Sequence, residues 1–384
     1  QQRLSWDILD SFQEATVESG IPQIDDFNDG NNYGVSYFKV NQKSGFRWNT
    51  VKAFIKPIKN RKNLHIIKKC EVNNLILENN KVIGVDVTRN GQLEKIFVNK
   101  EVVLSAGSIG SPKILELSGI GNNKVLSDLG IQTKINSVNV GENLQDHLQL
   151  RVIYKLENAV TLNQKANSLW GKIGIGLEYV LNRTGPMSMA PSQLGVFAMS
   201  DESYETPNLQ FHVQPLSLDK FGDPLHDFPG LTASVCNLNP QSRGSVHINS
   251  KDAKSPPDID PRYLSEEKDR IVAAQSIRLA RKIITQPAMK KYNPKEHAPG
   301  IQFQSEEELK KVAGDIGTTI FHPVGTCAMG PSDSSVTDEN LKVRGVEGLR
   351  IADASIMPSI TSGNTNAPTL MIAEKASEMI LNSN

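Results

Sequence analysis

Cysteine is nearly absent from this sequence: Cys70, Cys236 and Cys327 are the only three in 384 residues, far apart and odd in number. A disulfide framework is therefore not expected, and a reducing compartment is. Net charge is absent too, since 42 basic side chains stand against 42 acidic ones. The chain as a whole gives no electrostatic reason to expect nucleic acid or an anionic membrane surface as partner. No apolar run comes near the roughly 20 residues of a membrane span, so no transmembrane segment is expected. Metal is not expected either, because the one suggestive spacing, His322 to Cys327, has no second pair to complete a ligand set. The first residues, "QQRLSWDILD", show neither an initiator methionine nor a signal-peptide pattern and read as the interior of a longer chain. A cytoplasmic location is expected, with a peripheral place at a membrane as the alternative. No internal repeat or low-complexity tract stands out.

What is present suits two domains with a sizeable core, at 38% hydrophobic residues. Between Leu64 and Ala106 the runs "LHIIKK", "NLIL", "KVIGVDV", "KIFV" and "EVVL" have β character. Asn79-Asn80 and Asn90-Gly91 divide them as hairpin turns. At "LSAGSIGSPKILELSGIGN" a strand passes through glycines into a helix, with Ser111 expected as N-cap, Pro112 in the first turn and Gly119 as the stop. That strand–glycine–helix order is a geometry that lets backbone approach phosphate and ribose. From about residue 149 to 250, short strands alternate with Pro/Gly loops and predict an antiparallel sheet. Two helices follow. One runs from about Glu266 to Thr285 with Ile271, Ala274, Ile277, Ala280 and Ile284 on one face. The other opens at Ser305, where Glu308 completes a capping box.

The C-terminal block "GLRIADASIMPSITSGNTNAPTLMIAEKASEMI" predicts strand, loop, helix. Asp353 sits at the carboxyl end of the strand, and a polar loop bearing Asn364 and Asn366 leads to a helix beginning near Pro368. Ligands of open α/β sheets sit beyond the carboxyl ends of strands, and helix N-termini favour negative charge. Upstream, "FHPVGTCAMG" sets His322 between a phenylalanine and a proline. On the residues alone three roles stay open for it: metal ligand, core side chain bonded to backbone, or proton acceptor over a substrate.

"GSIGSPKILELSGIG", "VGENLQDH", "HPVGTCAMG" and "DASIMPSITSGNTNAPT" resemble, in order and spacing, the fixed stretches of the glucose–methanol–choline (GMC) oxidoreductases. The likeness is greatest to bacterial choline-dehydrogenase-like alcohol dehydrogenases. The resemblance spans the whole chain with one departure. The family's opening strand–GxGxxG–helix unit, which binds the ADP half of FAD, has no counterpart among these residues.

The resemblance implies an α/β (α+β) fold: an incomplete FAD-binding Rossmann-like domain over residues 61–145 and 318–384, and a substrate domain over 1–60 and 146–317 with an antiparallel sheet flanked by helices. It implies FAD as cofactor and oxidation of the CH–OH group of a primary alcohol by hydride transfer. The partners would be that alcohol and an electron acceptor, whether oxygen, a quinone or another carrier. His322 would be the general base and Asn364 its partner at the alcohol oxygen. Val72, Ser105, Ala106, Gly107, Asp353, Ala354, Asn366 and Ala367 would meet the flavin. Gln193, in place of the glutamate of choline-specific relatives, would line the pocket with Ile320 and Phe321, disfavouring choline. His147, in "VGENLQDH", is expected to tie backbone together. Choline oxidation proper, a non-redox lyase on the same fold, and an inactive fragment lacking its N-terminal part are the alternatives.

Overall fold

The computed structural model describes residues 3–220 and 222–383, which fall into two compact units. The first comprises Gln1–His65, Leu148–Leu238 and Glu267–Thr318, and the second Ile66–His147, Asn239–Glu266 and Thr319–Asn384.

The first unit is built on an antiparallel sheet. Its strand path runs Gly34–Tyr37, Leu194–Ala198, Leu209–Gln214, Gly230–Asn237, Leu148–Lys155, Lys295–Ala298. The period-2 rule sorts the strand Leu209–Gln214: Leu209, Phe211 and Val213 face one side, Gln210, His212 and Gln214 the other. Both sides are buried. The helix Glu267–Ile284 packs on the strand Gly230–Asn237. It buries Ala274, Ile277, Ala280 and Ile284, the 3.6-period face read from the sequence, with Ile271 half-buried. The helix Glu306–Ile316 starts as expected, since Ser305 Oγ accepts the Glu308 N–H (3.3 Å) and Glu308 Oε2 accepts the Ser305 N–H (2.9 Å).

In the second unit, Cys70–Glu78, Lys81–Arg89 and Gln92–Phe97 form a meander. Its turns have positive φ at Asn79, Asn80, Asn90 and Gly91, the geometry that matches strand twist and that Asn and Gly adopt at least cost. The strands Val102–Leu104 and Leu349–Ile351 pair in parallel. The helices Gly107–Leu117 and Asn366–Asn382 complete the unit around a core that includes Leu75, Leu115, Ile120, Val324, Leu349, Ile351 and Ile372. Each such side chain, fully buried, contributes about 1.5–3 kcal/mol before entropy is counted.

Three features differ from the sequence reading. Leu64–Lys69 forms no strand; Ile66 and Ile67 are exposed, and no ladder partner stands beside them among the described residues. The helix with Ser111 and Pro112 begins at Gly107, so both residues lie inside it. Pro112 has no N–H for the Ser108 carbonyl, and the Thr326 hydroxyl donates to that carbonyl instead (2.7 Å), which satisfies the acceptor the proline leaves open. Residues 239–266, grouped by sequence with the substrate domain, belong to the second unit. There the strand Ser245–His247 pairs with Asp258–Asp260, and Lys113 Nζ donates to the Ala253 carbonyl (2.5 Å).

His247 fastens that segment. Its Nδ1 meets Glu116 Oε1 at 2.7 Å and its Nε2 meets Glu142 Oε1 at 3.0 Å, while Glu116 Oε2 accepts the Ile248 N–H at 2.8 Å. Glu116 is fully buried. Its carboxylate is the main cause of a His247 pKa raised above the ordinary value, against a burial effect that lowers it. A raised folded-state pKa gives stability that is complete below the unfolded value, about 6.5, and is lost as pH rises through the folded one. His247→Ala leaves a buried carboxylate without its cation and should cost about 3 kcal/mol near pH 6. Denaturant titrations of wild type and variant should show that difference shrinking on the alkaline side; a difference independent of pH would contradict the ion-pair account.

Candidate active site

The loop ahead of His322 is held by one buried carboxylate. Asp146 Oδ1 accepts the His322 N–H at 2.8 Å, and Asp146 Oδ2 accepts the hydroxyls of Thr319 and Tyr263. Thr319 Oγ1 in turn accepts the Phe321 N–H (2.9 Å). Phe321 takes a positive φ of 64°, costly for a non-glycine residue, and its side chain turns outward to 69% exposure while His322 turns inward to 9%. The tether therefore decides which way the imidazole points.

Both ring nitrogens of His322 face partners. Nε2 lies 3.2 Å from Asn364 Nδ2, and Nδ1 lies 3.0 Å from His147 Nδ1. The two imidazoles meet edge to face with centroids 5.3 Å apart, and His147 is fully buried. An amide nitrogen can only donate, so as the groups stand Nε2 is the acceptor and the proton of neutral His322 lies on Nδ1, directed at His147. Burial lowers the His322 pKa below its ordinary value, opposed by the charge of Asp146. A neutral imidazole with a bare Nε2 is the form that can take up a proton.

The structure brings the two proposed catalytic residues together and sets beside them His147, expected only to tie backbone, and Asp146. His147 touches the His322 ring as well as standing in its own loop, and Asp146 carried no assignment. The only available signal was their adjacency in "VGENLQDH"; that they face residues 319–322 is a product of folding. Neighbouring Asn143, at φ 62°, accepts from Arg243 Nε (3.0 Å) and donates to the Pro358 carbonyl (3.2 Å), fixing the same loop. Cys327, close in sequence, is fully buried, and burial pushes its thiol pKa up.

The proposed flavin-facing residues form a second group. Asp353 is the N-cap of the turn Ala354–Ile356; its Oδ1 accepts the Ser355 N–H (2.8 Å) and its Oδ2 accepts the Gly107 N–H (2.9 Å) and the Ser111 hydroxyl (2.6 Å). Its oxygens thus organise the Gly107 turn. Gly107 has φ 77°, and a Cβ there would meet open space. Ser105 and Ala106 are exposed beside it, and Ala354 is half-buried. Val72 precedes a register shift in its strand. At the start of the helix Asn366–Asn382, Thr365 supplies no side-chain cap, and the amides of Asn366 and Ala367 have no partner among the described residues.

The proposed pocket residues are divided between the two units. Ile320 is half-buried beside His322 and Phe321 is exposed. Gln193, in the first unit, is fully buried, and its amide donates to the Leu4 carbonyl (3.3 Å). His226 and His297 approach Asp219, with ligand atoms within 4.8 Å of one another and His226 Nε2 3.2 Å from Asp219 Oδ1.

Comparison with known proteins places the chain in a family. GMC oxidoreductase models match residues 7–149 and 240–373. The alcohol dehydrogenase (acceptor) of Pseudomonas putida is 35% identical over 97% of this chain and 68% of its own length. An oxygen-dependent choline dehydrogenase of Staphylococcus saprophyticus is 37% identical over 97% of this chain and 67% of its own length. The chain thus spans about two thirds of such relatives. Among solved structures, pyridoxine 4-oxidase from Mesorbium loti superposes with a TM-score of 0.86 at 27% identity, covering 98% of this chain and 70% of its own. A formate oxidase of Aspergillus oryzae RIB40, studied for its FAD modification, gives 0.91 at 25% identity, with the same coverage. By the two family matches and by these relatives, the chain belongs to the GMC oxidoreductase family.

Proposed function

We propose that this protein is an FAD-dependent oxidoreductase that converts the CH–OH group of a primary alcohol to an aldehyde, with His322 as general base. The observation that supports this most is the 3.2 Å approach of His322 Nε2 to Asn364 Nδ2, from two stretches 42 residues apart. A proton acceptor and an amide donor side by side are what an alcohol oxygen requires when its proton leaves.

FAD fits the residues present. The unpartnered amides of Asn366 and Ala367, at the positive end of a helix, would meet the electron-rich pyrimidine edge of the ring system. The open Gly107 turn, held by Asp353, would take the ribose and phosphate portion with Ser105 and Ala106, and Ala354 would lie alongside. Val72 would meet the adenine through its backbone. When bound, FAD supplies the hydride acceptor.

The protein's own groups do the rest. The substrate hydroxyl donates to His322 Nε2 and accepts from Asn364 Nδ2, which orients the carbinol carbon. As the hydride departs, His322 takes the hydroxyl proton and Asn364 stabilises the oxygen without competing for that proton. The resulting imidazolium keeps its Nδ1 proton directed at His147, and Asp146 stabilises its charge. The acceptor that reoxidises the flavin is oxygen, a quinone or another carrier.

His322→Ala in the FAD-loaded enzyme should slow flavin reduction about 10²–10⁴-fold per bound FAD, with flavin content retained. Rapid mixing with an alcohol tests this; an unchanged rate per flavin with lost flavin or stability would make the histidine structural. Absence of flavin bleaching by any alcohol in wild type would favour a non-redox lyase.

The pH profile gives a separate check. His322 works when neutral, and burial lowers its pKa, so activity should fall only as pH drops through a value below about 6.5. The acid limb of kcat/KM is expected there; a limb centred above pH 7 would remove His322 from the role.

A further inference from the structure

The zero net charge of the chain conceals a strongly uneven distribution. Between Asp29 and Glu71 there are lysines and arginines and no acidic residue at all. Lys39 pairs with Asp26, but among the described residues no carboxylate stands against Lys43, Arg47, Lys52, Lys56 or Lys59.

Beside this segment, in the same unit, lies the helix Leu169–Asn182, none of whose residues is buried. At 3.6 residues per turn, Leu169, Trp170, Ile173, Leu177, Val180 and Leu181 fall within an arc of about 120°. All six are exposed, Trp170 to 81%, Leu181 to 74% and Leu169 to 71%. The helix is firmly placed with that stripe outward. Ser168 Oγ caps its start by accepting the Gly171 N–H (2.9 Å), and on its other side Tyr179 donates to the Gly45 carbonyl (3.2 Å). At its end the Arg183 guanidinium stands over the rings of Phe46 (4.9 Å) and Tyr179 (5.1 Å). Lys52 lies over Phe46 (5.5 Å) and Lys43 over the half-exposed Trp48 (4.9 Å), so aromatic and cationic groups alternate along the border.

We propose that this face docks on an anionic lipid bilayer, with the helix in the plane of the surface, its apolar stripe at the acyl boundary and its cationic border at the headgroups. An amphipathic helix with an outward apolar stripe, an indole at one end and unpaired cations at its rim has the composition of an interfacial anchor. A second copy of the chain is a poorer occupant, because an isologous contact would set the same cations against themselves. The inference does not depend on the catalytic reading.

The test uses the FAD-loaded protein and vesicles of phosphatidylcholine with or without phosphatidylglycerol. Co-sedimentation should require phosphatidylglycerol and weaken with salt. Trp170 fluorescence should be quenched by lipids brominated in the acyl chain. Leu177→Glu with Leu181→Glu should weaken vesicle binding by about tenfold or more while flavin reduction by alcohol is unchanged. Lys43→Glu with Lys52→Glu should remove the preference for phosphatidylglycerol. Failure to sediment with either vesicle overturns the proposal, as does binding that the leucine substitutions leave intact. So does a dimer, by light scattering, that those substitutions convert to monomer without any vesicle binding. If the leucine variant does not fold, quenching of Trp170 in the wild type decides.

Discussion

The Asp146 carboxylate is the constraint on which the site depends. It is 8% exposed, and it takes up a backbone N–H and two hydroxyls, all from the segment around His322 or the strand-proximal Tyr263. A buried ion without such donors would cost several kcal/mol, so the carboxylate and the loop order each other. The left-handed Phe321 persists because its neighbours on both sides are tied to this one group. The imidazole that results is buried, neutral and directed at Asn364. Asp146 therefore acts on His322 twice, through the backbone that aims the ring and through the charge that partly offsets desolvation.

How much of this was legible in the sequence follows from the range of each interaction. The Asn79-Asn80 and Asn90-Gly91 turns and the Ser305 capping box were readable because the residues that impose the conformation also adopt it. The helix face of Ala274, Ile277 and Ala280 was readable from its period. Ser111 misled because an N-cap signal and a buried hydroxyl look alike in sequence. Here Ser111 Oγ donates to Asp353, 242 residues away, and the helix continues four residues upstream. Ile66 and Ile67 misled because β character states a preference for a partner strand without supplying one.

The site shows the same division. His322 and Asn364 were singled out through motifs, but that His147 faces His322 depends on a contact across 175 residues that no local pattern encodes. Gln193 was read from its stretch alone, and its full burial and its bond to the Leu4 carbonyl are products of folding. The buried polar row Gln210, His212 and Gln214, opposite the apolar side of the same strand, drew no attention from periodicity, because alternation predicts exposure for such residues.

The hydroxyl that repairs the Pro112 helix also bears on the order in which the protein can assemble. Thr326 reaches the Ser108 carbonyl across 218 residues, and Asp353 reaches Ser111 across 242. The second unit is drawn from three separate stretches of chain, the last ending at the C-terminus. Contacts of such separation require closure of very long loops, which slows folding. On the ribosome the helix Gly107–Leu117 emerges long before either of its partners, with an unanswered carbonyl at Ser108. The meander of residues 70–97, whose contacts are local, can form during synthesis, whereas Asp146 must wait for Tyr263, Thr319 and His322 before it can aim the imidazole. Stalled or shortened chains of this protein would accordingly expose Leu115 and the rest of that core, and become substrates for chaperones before they could become enzymes.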